Sequence, residues 1–217
     1  MTKVGHASAP VTSSIVLHSA RVYDFLAQVM MLGREGAFRE KVLDLARIKV
    51  GESVLDVGCG TGTLAIAAKR RVGQGGDVLG IDVSPEMIAR ARKKASKAAL
   101  KIDFRNEAIE ALPFADAQFD GVLSTLMLHH MPAKVREQGV REMRRVLKPG
   151  GRVLILDFGG TKQQRGLLAH FHQRHGHVKP AEVVELLSAA GLNVIESGAV
   201  GMRDLHFALA VAPCLQG

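Results

Sequence analysis

Apolar residues recur at helical spacing from Ile15 to Leu32, through Val16, Ala20, Tyr23, Leu26 or Ala27, and Met30, which predicts a helix over 15–32. A second helical stretch at 37–46 ends near the turn Lys49-Val50-Gly51-Glu52. From residue 53 the pattern alternates. Short apolar runs at 53–58, 77–82, 101–105, 119–124 and 151–157 predict strands, and the segments 63–72, 85–98 and 133–147 between them predict helices. Ser84-Pro85-Glu86 supplies an N-cap, a first-turn proline and a first-turn acid for the helix at 85, while Lys148-Pro149-Gly150-Gly151 predicts the stop of the helix at 133–147. Strands and helices alternating over short connections imply parallel strands with helices on both faces, joined by right-handed crossovers.

Beyond residue 157 the rhythm changes. A polar, histidine-rich stretch precedes a predicted helix at 180–190 and strands at 192–197 and 205–212, with Gly198 to Asp204 short enough to join the last two as a hairpin. No repeat or low-complexity linker divides the chain. The expectation is a flexible tail at 1–14 and one domain at 15–217, with helices at 15–48 before an α/β core at 49–217.

Composition narrows the classes. Hydrophobic residues make up 47% of the 217 residues and charged residues 23%, which suits a folded core and argues against disorder. Aromatics at 4% leave little with which to stack single-stranded nucleic acid. The net charge of +8 raises polyanion binding, but much of it lies at helical spacing, in Arg90, Arg92, Lys93, Lys94, Lys97 and Lys101 and in Arg141, Arg144, Arg145 and Lys148, as on solvated helix faces. Cys59 and Cys214 form neither a disulfide framework nor a zinc spacing, so no metal site is expected from them, and reduced thiols fit a cytoplasmic protein. No apolar run approaches the roughly 20 residues of a membrane helix.

The chemistry concentrates at Val54-Leu55-Asp56-Val57-Gly58-Cys59-Gly60-Thr61-Gly62, where a strand enters a glycine turn that opens a helix. Such a turn lets a ligand approach main-chain atoms, and the helix start offers N–H groups to it. The spacing G-x-G-x-G, with an acid two residues before the first glycine, differs from the dinucleotide pattern G-x-G-x-x-G. Asp82 ends the second strand about 20 residues later, where an acid accepts hydrogen bonds from a ribose diol or simply forms the strand-end turn.

These features resemble the class I S-adenosylmethionine (SAM)-dependent methyltransferases, over about residues 20 to 211. Asp56 to Gly62 matches their motif I and Asp82 the acidic end of motif II. Leu112-Pro113-Phe114 with Phe119-Asp120 looks like their LPF…FD segment. Leu128-His129-His130 resembles the run after strand four, and Arg144 to Gly151 resembles the RVLKPGG run before strand five. The resemblance implies a Rossmann-like, doubly wound sheet of seven strands, mostly parallel with an antiparallel last strand, and SAM at the carboxyl ends of strands one and two. It implies that Gly58, Cys59, Gly60 and Gly62 pass close to the methionine part of SAM and that Asp56 reaches its ammonium. Asp82 would hold the ribose, and Val83 and Met87 would line the adenine pocket. Thr125, at the end of strand four, joins this cofactor-binding set. Relatives carry an Asp-Ala pair near the adenine, whereas Glu107-Ala108 fits here only with one residue inserted, beside Asn106.

Methyl transfer needs alignment and exclusion of water, with a general base only where the nucleophile carries a proton. His130 is the candidate base, the alternative being that it packs or positions substrate; His129 is expected to point the other way. Tyr23 lies in a helix pair that resembles the lid of the UbiE-like quinone C-methyltransferases, as a SAM or substrate contact or as lid packing. His170, His172, His175 and His177 suit a metal or a solvated loop and are expected to shape acceptor binding. The resulting expectation is a SAM-dependent methyltransferase that releases S-adenosylhomocysteine and acts on a small lipophilic, aromatic or polyketide-like acceptor, as a monomer or homodimer. The alternatives are a tRNA or rRNA methyltransferase, though no base-amino motif stands at Ser124-Thr125-Leu126-Met127, and a non-catalytic SAM-binding protein.

Overall fold

The computed structural model describes residues 35–159, 178–202 and 204–214. The tail, the helix expected at 15–32 with Tyr23, and His170 to His177 lie outside the described residues. Within them the chain runs α1 (Glu35–Leu45), β1 (Ser53–Val57), α2 (Thr63–Val72), β2 (Asp77–Asp82), α3 (Pro85–Lys97), β3 (Asp103–Asn106) and β4 (Phe119–Thr125). A 3-10 turn (Leu128–His130) leads to α4 (Ala133–Val146), β5 (Leu147–Phe158), α5 (Pro180–Ala189), β6 (Asn193–Ala199) and β7 (Leu205–Val211).

The seven strands form one sheet in the order β3-β2-β1-β4-β5-β7-β6. The first five are parallel, and β7 runs antiparallel to both β5 and β6, so the expected antiparallel last strand and terminal hairpin are present. The strand order reverses between β1 and β4, which opens a crevice at their carboxyl ends. Helices cover both faces. On one, Val42, Leu43, Ala65, Ala68, Ile88 and Ala91 carry α1, α2 and α3; on the other, Val140, Met143 and Leu187 carry α4 and α5.

Local chemistry sets these boundaries. The Ser84 hydroxyl accepts from the Met87 N–H at 3.3 Å ahead of Pro85, the N-cap and first-turn proline read from sequence. Several boundaries differ by a residue or two, and two differences have a visible cause. The third strand begins at Asp103 rather than 101, because α3 closes late: Ala99 adopts φ 52° and the Leu100 N–H returns to the Ala95 carbonyl. The KPGG run does not separate α4 from β5 but belongs to the strand. Leu147 already pairs with Phe119, and the bend at Gly150 (φ 74°) is absorbed by a register shift opposite Phe119 and Gly121.

The LPF…FD and RVLKPGG runs prove to be one structural unit. The Arg145 guanidinium donates to the carbonyls of Leu112 (2.9 Å) and Phe114 (2.7 Å) and pairs with Glu142 and Asp116. Lys148 meets Asp120 at 2.8 Å, and Asp120 also accepts the Ser53 N–H. Arg152 donates to the carbonyls of Ala46 and Arg47, fastening the end of α1 to β5. Arg145 and Lys148, which the sequence places on a solvated helix face, therefore serve as fasteners between elements.

Candidate functional site

The crevice is built from the ends of β1, β2, β3 and β4. After Val57 the chain turns through Gly58 (φ 72°) and Gly60 (φ 52°), and the N–H groups of Gly58 and Cys59 both donate to the Ile81 carbonyl at 2.9 Å. This folds the turn over the end of β2. Gly58 is required by position: an added Cβ would fall on the Met127 side chain, 2.8 Å from its Cγ. Gly62 (φ 76°) serves packing as well as the turn, since a Cβ there would stand 2.8 Å from both Ala91 Cβ and Phe104 Cζ. It also caps α2 without any side-chain hydrogen bond, so no side chain occupies the helix start at the turn.

Beneath the turn lies Asp56, 1% exposed. Neither carboxylate oxygen meets a hydrogen-bond partner at normal geometry among the described residues. Burial pushes its pKa up to about 7, the Ala65 backbone N–H offsets this only in part, and the nearby Asp82 carboxylate adds to it. A buried carboxylate supported by little more than the Ala65 N–H is costly in an isolated domain and suits a site that receives a cation. Asp82 is better satisfied: its two oxygens accept from Gly60 N–H (2.9 Å) and Ser84 N–H (2.8 Å). Both of its expected roles are therefore compatible with the geometry, because each carboxylate oxygen keeps a further lone pair for a diol. Desolvation raises the Asp82 pKa, and those two N–H groups temper the rise.

The other expected cofactor contacts fall around this pair. Val83 is one of three large hydrophobics exposed among the described residues, at 37%, whereas Met87 is buried in α3. Asn106 donates its side-chain amide to the Asp82 carbonyl (2.8 Å), and the Glu107 N–H reaches the same carbonyl. Glu107 and Ala108 are half-buried beside them. Thr125 is half-buried at the end of β4 and pairs with Leu156. Cys59 is buried, its thiol pushed far up by desolvation and by the Asp56 and Asp82 carboxylates, which makes it an inert packing group.

The two histidines follow β4 in the 3-10 turn, and His129 is tied to the end of the sheet: its Nδ1 lies 2.6 Å from Asp157 Oδ1 and its backbone N–H donates to Asp157 Oδ2 at 3.1 Å. The rings of His129 and His130 lie 3.8 Å apart, and Phe158 stands edge-on to His129 at 5.2 Å. Asp157, at the end of β5, is 4% exposed and was not singled out from sequence. The available signal was an acid terminating the apolar run Val153-Leu154-Ile155-Leu156.

The fold and sequence agree with known proteins. Residues 54–151 match the model of a family described as a methyltransferase domain. The demethylmenaquinone methyltransferase of Thermus thermophilus is 38% identical over 136 residues, covering 63% of this chain and 60% of that protein. The chloroplastic 2-phytyl-1,4-beta-naphthoquinone methyltransferase of Arabidopsis thaliana is 38% identical over 148 residues, covering 66% of this chain and 56% of that protein. The chain thus spans little more than half the length of these two relatives. A SAM-dependent methyltransferase from Aquifex aeolicus shares the fold, with a TM-score of 0.73 over 89% of this chain and 98% of that one at 24% identity. Taken with the glycine turn, the buried acid beneath it and the strand order, these likenesses identify a SAM-dependent methyltransferase domain of Rossmann-like fold, similar in sequence to the UbiE-like quinone methyltransferases.

Proposed function

We propose that the chain transfers the methyl group of SAM to a small lipophilic acceptor, a quinone-type ring in its reduced, hydroxyl-bearing form. The observation that carries the donor half is Asp56, a buried carboxylate with unmet hydrogen-bonding capacity beside an uncapped helix start. An amino acid moiety, with its ammonium and carboxylate adjacent, answers both features at once. The acceptor half is supported by the names of the relatives that share over a third of the aligned residues. Its reduced state follows from chemistry, because a quinone carbon is electrophilic and cannot attack an electrophilic methyl.

SAM supplies an activated methyl on a sulfonium, ready for in-line displacement. The protein's part is placement. Asp56 pairs with the ammonium, the N–H groups at the start of α2 face the carboxylate, and Asp82 accepts the ribose hydroxyls. Gly58, Cys59, Gly60 and Gly62 keep the turn thin enough for close approach. Val83 and Met87 flank the adenine, with Asn106, Glu107 and Ala108 at its rim. Thr125 stands at the end of β4 and His130 in the turn that follows, where His130, its ring tilted against His129, helps to place the acceptor.

Titration calorimetry with SAM and with NAD tests the donor half. SAM binding is expected; binding of NAD in preference to SAM would overturn the assignment. A screen for SAM-dependent mass gains of one methyl group tests the rest. Gains confined to tRNA or rRNA would transfer the assignment to a nucleic-acid enzyme. SAM binding with no gain in any pool would mark a non-catalytic SAM-binding protein.

A further inference from the structure

We propose that Asp157 and His129 form a proton-accepting dyad, in which Asp157 fixes the Nδ1–H of His129 and leaves Nε2 to take the proton of a hydroxyl-bearing acceptor. The proposal rests on the methyl-transfer function above and adds to it a residue that sequence motifs assign to no role.

The geometry sets the proton's position. A carboxylate only accepts hydrogen bonds, so the proton shared across the 2.6 Å contact resides on His129 Nδ1. The neutral ring then carries its lone pair on Nε2. Asp157 is held in turn: besides the two bonds from His129, its Oδ1 accepts the Phe158 N–H at 2.8 Å. Three donors on a carboxylate 4% exposed leave it little freedom to rotate. The His129 side chain keeps 12% of its surface exposed, so it is braced but accessible. A base held by a third, buried group is the arrangement that general-base catalysis uses to fix tautomer and aim.

The same contact locates the dyad. Asp157 follows Leu156, which pairs with Thr125, and His129 follows within one turn of the end of β4. Both therefore sit at the carboxyl edge of the sheet. There, Met127 of the same connection packs over Gly58 of the donor turn. The step balances as follows. The acceptor O–H proton passes to His129 Nε2, and the electron pair released drives bond formation between the ring carbon or oxygen and the methyl. The methyl–sulfur bond breaks with its pair retained by sulfur, and the imidazolium returns its proton to water. Asp157 stays ionised throughout as the positioning residue.

The test uses 1,4-dihydroxynaphthalene, kept reduced, as the acceptor probe. In ¹⁵N-histidine NMR of the SAM-free protein, neutral His129 is expected as the Nδ1–H tautomer, and Asp157→Asn should move it toward Nε2–H. Adding the probe to the S-adenosylhomocysteine complex should shift the Nε2 resonance toward the hydrogen-bonded or protonated position. In turnover, His129→Gln should lower kcat by about 100-fold or more, the range of general-base catalysis, with SAM affinity held within threefold. An Nε2–H tautomer in the wild type, or a flat Nε2 signal with the probe bound to saturation by calorimetry, overturns the dyad, whereas a probe that does not bind overturns the quinone-ring acceptor. The dyad is also overturned by a His129→Gln variant whose kcat stays within threefold on a probe that the wild type methylates, or one that loses SAM affinity in step with kcat. If Nε2 responds but the wild type leaves the probe unmethylated, the quinone-ring acceptor fails and the dyad stands.

Discussion

Asp56 gives the most direct quantitative prediction, because its hydrogen bonding is under-satisfied and its charge is expensive. The carboxyl is raised from 3.8 to about 7 by burial. The folded protein therefore holds this proton more tightly than the unfolded chain. For this group stability is greatest at low pH, falls as pH rises from 3.8 towards 7, and is level above that. At about 1.4 kcal/mol per pKa unit, the ionised carboxylate costs the SAM-free protein about 4 kcal/mol at pH 8. Asp56→Asn removes the titration but leaves a desolvated amide, worth about 1–3 kcal/mol against folding. The variant should consequently be more stable than wild type at pH 8 by about 2 kcal/mol, which for a chain of this size is about 4–8 °C in Tm. At pH 4.5 the advantage should vanish. Differential scanning calorimetry of both proteins from pH 4.5 to 8.5, without SAM, measures the difference. A Tm difference that stays flat across that range, or a variant less stable at pH 8, would refute the account of Asp56 as a strained, under-satisfied charge. The same variant should bind SAM about 30-fold or more weakly at pH 8, as expected when a charge-assisted contact is lost.

Other consequences are equally open to measurement. Wild-type affinity for SAM should weaken about tenfold from pH 8 to pH 6, with a proton released on binding at the lower pH, because the cation requires ionised Asp56; calorimetry in buffers of different ionisation enthalpy reads both. In the native protein a thiol reagent should modify exposed Cys214 readily and buried Cys59 only on unfolding, giving a count of one and then two. Gly62→Ala should cost about 2–4 kcal/mol in urea unfolding, since it combines a left-handed backbone with overpacking against Ala91 and Phe104. Arg145→Ala should cost about 2–3 kcal/mol through the loss of charge-assisted bonds to Leu112 and Phe114 carbonyls, with SAM affinity retained.

The strands were legible because each is a short apolar run between turn signals, and the sheet's interior buries both of its faces. Gly58, Gly60 and Asp82 were legible because the glycine turn and the acid lie close in sequence and their chemistry is local. The ends of elements were less so: β3 starts late because a left-handed Ala99 prolongs the exit from α3, a choice that its neighbours Ala98 and Leu100 do not announce. The Asp157–His129 pair was hidden for a different reason. Its members lie 28 residues apart and meet only through the register that sets Thr125 opposite Leu156. Similarly, Arg145 and Lys148 read as surface charge until the fold brings Leu112, Phe114 and Asp120 beneath them.

The direct passage from α4 into β5 at Val146 and Leu147 makes the helix a ruler for the strand. With only the KPGG bend between the Leu147–Phe119 and Arg152–Gly121 pairs, the rotational phase of Val140 and Met143 on the core and the length of that bend decide which residues of β5 face each side of the sheet. One residue inserted at that junction would exchange the faces all along the strand, because side chains alternate with a period of two. The apolar run from Val153 to Leu156 would survive the exchange, being buried on both faces. Asp157 would not: its carboxylate would leave the side that holds His129. Two inserted residues would restore the face but slide Leu156 past Thr125. The chain would thus keep its sheet and lose its active edge, so length at this seam is under tighter constraint than sequence.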